Sequence, residues 1–325
     1  MVHQMNDLPA QDAAPQPPAQ PPAQPPAQPT SRPPVKSRRG RSVARARSAA
    51  RRSVAVFPTL CTLANLLCGF LAVFIASRPA DTELPWGWTP LTFAAVFVFL
   101  GILFDGLDGP VARLTGSTSD LGGQLDSMAD LVTAGVAPAF MAVQLVGVES
   151  PFLSVRGDRY FDRAALIIAS LYVLCAALRL ARFNVDARSQ KTEDHMNFCG
   201  LPSPGAAGTV AGLILLHEHL LAHADSPWLI NTAACSILAV TAVTAFAMVS
   251  RLPYAHLVNR YLLGQAPFNY LLMVVVVVLL LAIAPQWSIA AGFVCYALSA
   301  PVMRLPGVRR IFRRLRFRRL PDSAP

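Results

Sequence analysis

The sequence predicts an all-α protein, a polytopic bundle of about eight membrane-crossing helices. The 325 residues are 54% hydrophobic and only 14% charged, which is too apolar for a soluble chain of this length. The apolar residues gather into runs near the length that crosses a bilayer. When eight spans are drawn, 24 of the 28 Lys and Arg residues fall on one side, as the positive-inside rule requires.

Taken in order, residues 1–54 form an arm. Its first part, 1–31, repeats Pro-Pro-Ala-Gln. Such a segment has little to bury and is expected to be disordered, with polyproline character. Nine Lys or Arg follow between residues 32 and 52. A membrane domain over 55–305 comes next, with spans expected near 56–77, 89–112, 121–148, 164–184, 204–222, 229–250, 268–284 and 287–304. Ala284-Pro285-Gln286 reads as a tight turn between the last two. A basic tail, 306–325, closes the chain, and eight arginines lie between Arg304 and Arg319. A net charge of +10 raises nucleic acid as a partner. Both basic tracts flank hydrophobic spans, however, so an anionic lipid bilayer is expected and nucleic acid is not.

An even number of spans brings both termini to one face, and the charge imbalance makes that face cytoplasmic. The opening fifty residues are polar and proline-rich, so no signal peptide is expected. The expected location is a bacterial inner membrane. The six cysteines are scattered without a CxxC pair and are expected to be buried small hydrophobes rather than a disulfide framework.

Four aspartates interrupt this apolar pattern. Asp105 and Asp108 are three residues apart, and Asp126 and Asp130 four apart, so on helices each pair shares one face. A carboxylate at membrane depth costs roughly 2.5–3.5 kcal/mol on insertion scales. The short loop after Arg113 turns the second helix back on the first, so the pairs can converge at the cytoplasmic end. Four carboxylates suit one or two hard divalent cations, Mg²⁺ or Mn²⁺, and two ions would clamp a phosphoryl group. Gly109 and Gly122 leave the backbone bare where a phosphate must approach, and Arg113 offers a fork of donors to phosphate oxygens. Ion pairing with arginines accounts poorly for the acids, because only Arg113 is near in sequence. A cation path through the bundle is the other alternative, but no inverted repeat of the motif accompanies it.

The run from Asp105 to Asp130 matches, without a gap, the pattern Asp-x2-Asp-Gly-x2-Ala-Arg-x8-Gly-x3-Asp-x3-Asp. In this it resembles the CDP-alcohol phosphatidyltransferases. The resemblance carries the family's site onto Asp105, Asp108, Gly109, Ala112, Arg113, Gly122, Asp126 and Asp130. It implies a divalent metal and a reaction in which an alcohol displaces CMP from a CDP-activated lipid. It also implies homodimers. Three further stretches, Phe57–Phe70, Leu178–Val185 and Phe198–Pro204, resemble the serine-specific branch, which implies CDP-diacylglycerol and L-serine as substrates. Asp105, Asp108 and Asp126 would then hold the first ion. Asp130 would share a second and act as general base toward the serine hydroxyl. Other acceptors (inositol, glycerol 3-phosphate, choline) and a non-catalytic or ion-moving protein are the alternatives.

The residues add a partial reading of the acceptor side. Arg179 and Arg182 share a helix face at the cytoplasmic boundary and can meet a carboxylate or phosphate, or serve as positive-inside anchors. Asn184 is expected to cap a helix end or bind the acceptor. Ser203, followed by Pro204, reads as an N-cap whose backbone donors could face an anion. Asn65, polar within an apolar span, bonds a neighbouring helix or faces the nucleotide. Pro110 is expected to bend the second span. His217, His219 and His223 cluster at the opposite end of the fifth span, where a solvated interfacial role is expected over a zinc site.

Overall fold

A computed structural model of the chain describes residues 38–82, 84–115, 120–153, 160–189, 200–221, 227–252, 254 and 267–304. The proline-rich arm, the basic tail, His223 and the 190–199 stretch lie outside the described residues. Contacts divide the chain into units 1–47 and 48–325, and the second holds the membrane helices and the site.

The helices are α1 (Arg38–Ala76), α2 (Pro90–Thr115), α3 (Asp120–Asp130), α4 (Ala137–Leu153), α5 (Tyr160–Ser189), α6 (Ser203–Leu221), α7 (Pro227–Val249), α8 (Pro267–Ile283) and α9 (Pro285–Arg304). A π-helical turn, Leu131–Val136, joins α3 to α4, making one long span. Every expected span is found as a helix, and the described residues contain no strand. Six stretches are long and apolar enough to cross a bilayer, so this is an integral membrane protein. The other two expected spans fall short for different reasons. In α8 the shorter apolar stretch is Leu271–Ile283. In α6, His217, Glu218 and His219 dilute an otherwise apolar helix.

α1 shows how lipid shapes the fold. Phe57, Leu60, Leu63, Leu67, Phe70 and Phe74 run down its exposed face, while Thr62, Asn65 and Gly69 are buried with Cys61, Cys68, Ala72 and Ala76. That is apolar outside and partly polar inside, the arrangement favoured when hydrocarbon is the solvent. Between α1 and α2, Trp86 stacks on Phe93 with centroids 6.0 Å apart. Trp86 is mostly exposed, as expected of an aromatic ring at a membrane interface.

α6 sits at the centre, packed by α2, α4, α7 and α9. Its small residues allow close approach. A Cβ on Gly205 would lie 2.7 Å from Cε1 of Tyr296, and one on Gly208 would lie 2.6 Å from Cζ of Phe293. The pairings Gly205–Tyr296, Gly208–Phe293 and Gly212–Ala290 show α9 running antiparallel to α6. The Thr209 hydroxyl adds a bond to the Phe293 carbonyl at 3.2 Å. α8 and α9 meet at a sharp corner with only Ala284 between them. The Ser288 hydroxyl bonds the Leu280 carbonyl at 2.9 Å, a separation that a straight helix would hold at about 12 Å.

α2 runs as a helix through Pro110 to Thr115. Two expectations need correction. His217 is not solvated: it is 2% exposed, beside buried Glu218 at 3.7 Å. Cys61, Cys68 and Cys175 are buried and free as expected, but Cys295 faces outward.

Candidate active site

α2 and α3 bring the aspartates together. Ligand oxygens of Asp105, Asp108 and Asp126 all lie within 4.8 Å of one another. Asp130 stands outside this triad, within hydrogen-bonding reach of Asp105, while Asp108 and Asp126 are in similar reach of each other. Carboxylates this close repel one another unless a cation or a proton stands between them. Asp126 Oδ1 is buried and has no hydrogen-bond partner. A compact triad of hard oxygen donors with a spare buried oxygen fits a divalent cation such as Mg²⁺ or Mn²⁺.

α1 orients the acids from the other side. The Thr62 hydroxyl lies 3.1 Å from Asp108 Oδ2 and 3.1 Å from the Pro58 carbonyl, so its one proton is shared between these two acceptors, and the Asn65 amide donates to Asp130 Oδ1 at 3.1 Å. Thr62 and Asn65 are three apart, on one face of α1. Asn65 therefore bonds a neighbouring helix, the first of the two alternatives open for it.

The π turn begins directly after Asp130. The Ala137 amide reaches back five residues to the Val132 carbonyl. The extra residue in this turn rotates the faces of α4 by about 100° relative to those of α3. The cause is tertiary. The Thr133 hydroxyl donates to the Asn65 carbonyl at 2.9 Å, and the Tyr172 hydroxyl donates to the Ala134 carbonyl at 3.1 Å. A Cβ on Gly69 would lie 2.8 Å from Thr133 Cα, and one on Gly101 would lie 2.9 Å from Asn65 Oδ1. Gly69 thus lets α1 meet the π turn backbone to backbone, and Gly101 lets the Thr133 and Asn65 side chains lie against the bare backbone of α2, which places Asn65 against Asp130.

Around Gly109 the situation is the reverse. A Cβ there, or on Gly106 or Gly123, would meet nothing within 4 Å. Protein packing does not demand these glycines, which is consistent with room left for a ligand. Gly122 is half-buried beside them. The side chains of Ala112 and Arg113 lie outside the described ones.

On the acceptor side, an Arg179 Nη donates to the Ser203 hydroxyl. The charged groups around Arg179 include Asp130 and Asp105, so α5 delivers a cation to the rim of the acidic cluster. Ser203 differs from its predicted role. The Ala206 amide bonds the Pro202 carbonyl at 3.0 Å, so α6 begins one residue earlier and the Ser203 side chain is turned to Arg179. Asn184 caps nothing, because α5 runs on to Ser189. It pairs instead with Ser127 of α3, its amide donating at 3.0 Å. Arg182 is exposed. Thr62, Ser127, Thr133 and Tyr172 were missed by sequence reasoning. The three-residue spacing of Thr62 and Asn65, both inside an apolar span, was the available signal.

A membrane-embedded helix bundle with a cluster of aspartates able to hold a divalent cation defines the class of protein. A family model described as CDP-alcohol phosphatidyltransferase matches residues 55–249, and the chain belongs to that family. The match begins where the membrane domain was expected to begin and ends before α8 and α9. Relatives named CDP-diacylglycerol–serine O-phosphatidyltransferase are similar to it. The one from Helicobacter pylori is 35% identical over 161 residues, 50% of this chain and 58% of that protein. That of Bacillus subtilis is 29% identical over 199 residues, 61% of this chain and 89% of its own length. That of Saccharomyces cerevisiae is 40% identical over 156 residues, 47% of this chain and 51% of that protein. The chain thus spans little more than half the length of the Helicobacter relative.

Proposed function

We propose that this protein transfers the phosphatidyl group of CDP-diacylglycerol to the hydroxyl of L-serine, giving phosphatidylserine and CMP. The observation that carries the reading is the triad of Asp105, Asp108 and Asp126, with Asp130 alongside it and Arg179 on its rim. The relatives named for serine transfer support the choice of acceptor.

The lipid tails lie among the exposed apolar faces and the diphosphate lies over the open backbone at Gly109 and Gly122. A divalent cation held by Asp105, Asp108 and Asp126 would supply positive charge to the diphosphate and to the leaving CMP. Arg113 adds donors to phosphate oxygens. Asp130 takes the proton from the serine hydroxyl as that oxygen attacks the lipid-side phosphorus. Asn65 holds Asp130 in place through its amide. Arg179 meets the serine carboxylate, with Ser203 fixing its guanidinium. Arg182 and Asn184 border this side of the site. The site and both termini face the cytoplasm of a bacterial inner membrane, and the protein acts as a homodimer.

The test is a panel of alcohols. Purified protein is given CDP-diacylglycerol, Mg²⁺ or Mn²⁺, and separately L-serine, inositol, glycerol 3-phosphate and choline, and the product lipid is read by mass. Phosphatidylserine with equimolar CMP is expected. Product with another alcohol alone would keep the chemistry and change the acceptor. No alcohol-dependent CMP release would remove the enzymatic reading.

A further inference from the structure

α9 lies beyond the residues the family model matches, yet it reaches the acceptor side of the site. One edge of its Tyr296 ring packs against the bare backbone at Gly205, two residues from Ser203. The Tyr296 hydroxyl and the Arg179 guanidinium are within electrostatic range of each other. Three tyrosines crowd this region, and their hydroxyls differ. That of Tyr172 donates to the Ala134 carbonyl, and that of Tyr254 donates to the Ala297 carbonyl at 3.0 Å. Tyr254 packs on Tyr296 with ring centroids 6.0 Å apart. Among the described residues the Tyr296 hydroxyl has no hydrogen-bond partner. Among those same residues Arg179 bonds Ser203, which takes one of its five donors. Arg179 bonds Ser203 and Tyr296 packs on Gly205 two residues further on, so a guanidinium fork and a phenol donor share one neighbourhood, a pairing that suits the two oxygens of one carboxylate. Arg179 also lies near Asp130, so a carboxylate held there brings an acceptor's hydroxyl toward the base.

We propose that Tyr296 is an acceptor-binding residue that completes, with Arg179, a clamp for the carboxylate of the incoming alcohol. This rests on the serine-transfer reading above and adds a specificity element from outside the matched domain. Gly205 supports the clamp by letting the Tyr296 ring pack close to the start of α6.

The test is Tyr296→Phe in the full chain, which keeps the ring on Gly205 and removes only the hydroxyl. KM for L-serine is expected to rise about tenfold, the range of one hydrogen bond to a charged group. The kcat at saturating serine and KM for CDP-diacylglycerol should hold at wild-type values, which also shows the variant is folded. Tyr296→His, which restores a donor, should recover part of the loss. Tyr254→Phe, which removes a hydroxyl already bonded to backbone, should leave KM for serine unchanged. A wild-type serine KM in Tyr296→Phe, or a matching rise for CDP-diacylglycerol, overturns the proposal. If the wild-type protein converts only an alcohol without a carboxylate, the serine reading fails and the clamp fails with it. If it converts serine and Tyr296→Phe is unaltered, only the clamp fails.

Discussion

Asn65→Ala is the most informative single substitution. Asn65 is 1% exposed and its amide donates to Asp130 Oδ1 at 3.1 Å, while its own carbonyl receives the Thr133 hydroxyl at 2.9 Å. The backbone bond survives the substitution, so the π turn keeps its anchor and only the contact to Asp130 is lost. A hydrogen bond to a charged group contributes about 1.5–3 kcal/mol. At 1.4 kcal/mol per factor of ten this corresponds to roughly a 10- to 150-fold fall in kcat. The assay is CMP release from CDP-diacylglycerol at saturating serine and Mg²⁺. Half-saturation by Mg²⁺ should barely move, because Asn65 touches none of Asp105, Asp108 and Asp126. Turnover within about twofold of wild type, less than one such bond is worth, would refute the claim that Asn65 holds the base.

Other substitutions separate the remaining roles. Thr62→Val removes the donor to Asp108 and should act on the metal instead, raising the Mg²⁺ concentration for half-activity by about 10- to 100-fold. Asp130→Asn should abolish turnover while CDP-diacylglycerol binding, measured directly, is largely kept. Gly69→Ala forces a methyl to within 2.8 Å of Thr133 Cα and should cost about 1–3 kcal/mol of stability, read as a lower unfolding temperature in detergent. Arg179→Lys keeps the charge but loses the planar fork, so KM for serine should rise with little change in KM for CDP-diacylglycerol.

The sequence made the bundle and the acidic cluster legible because both arise from local rules. Apolar runs near the membrane thickness specify spans, and three- and four-residue spacings put aspartates on common faces. What it hid depended on contacts between distant segments. The π turn after Asp130 has no signature in Leu131–Val136 and exists because Gly69 and Gly101 admit Thr133. Asn184 looked like a cap because it stands near the end of an apolar run, yet Ser127, 57 residues away, takes its side chain. Ser203 looked like a cap by the Ser-Pro pattern, and Arg179 claims it instead. His217 was assigned to solvent by its place at the outer end of a span, but α6 is the central helix, and there His217 is buried.

The most direct test of the whole account is the metal dependence of product formation. Purified protein stripped with EDTA should form no phosphatidylserine, and Mg²⁺ or Mn²⁺ should restore equimolar CMP and phosphatidylserine. Replacing Asp105, Asp108 or Asp126 with Asn should each raise the metal concentration required. Full turnover in the presence of EDTA, or an unaltered metal requirement in all three variants, would contradict it.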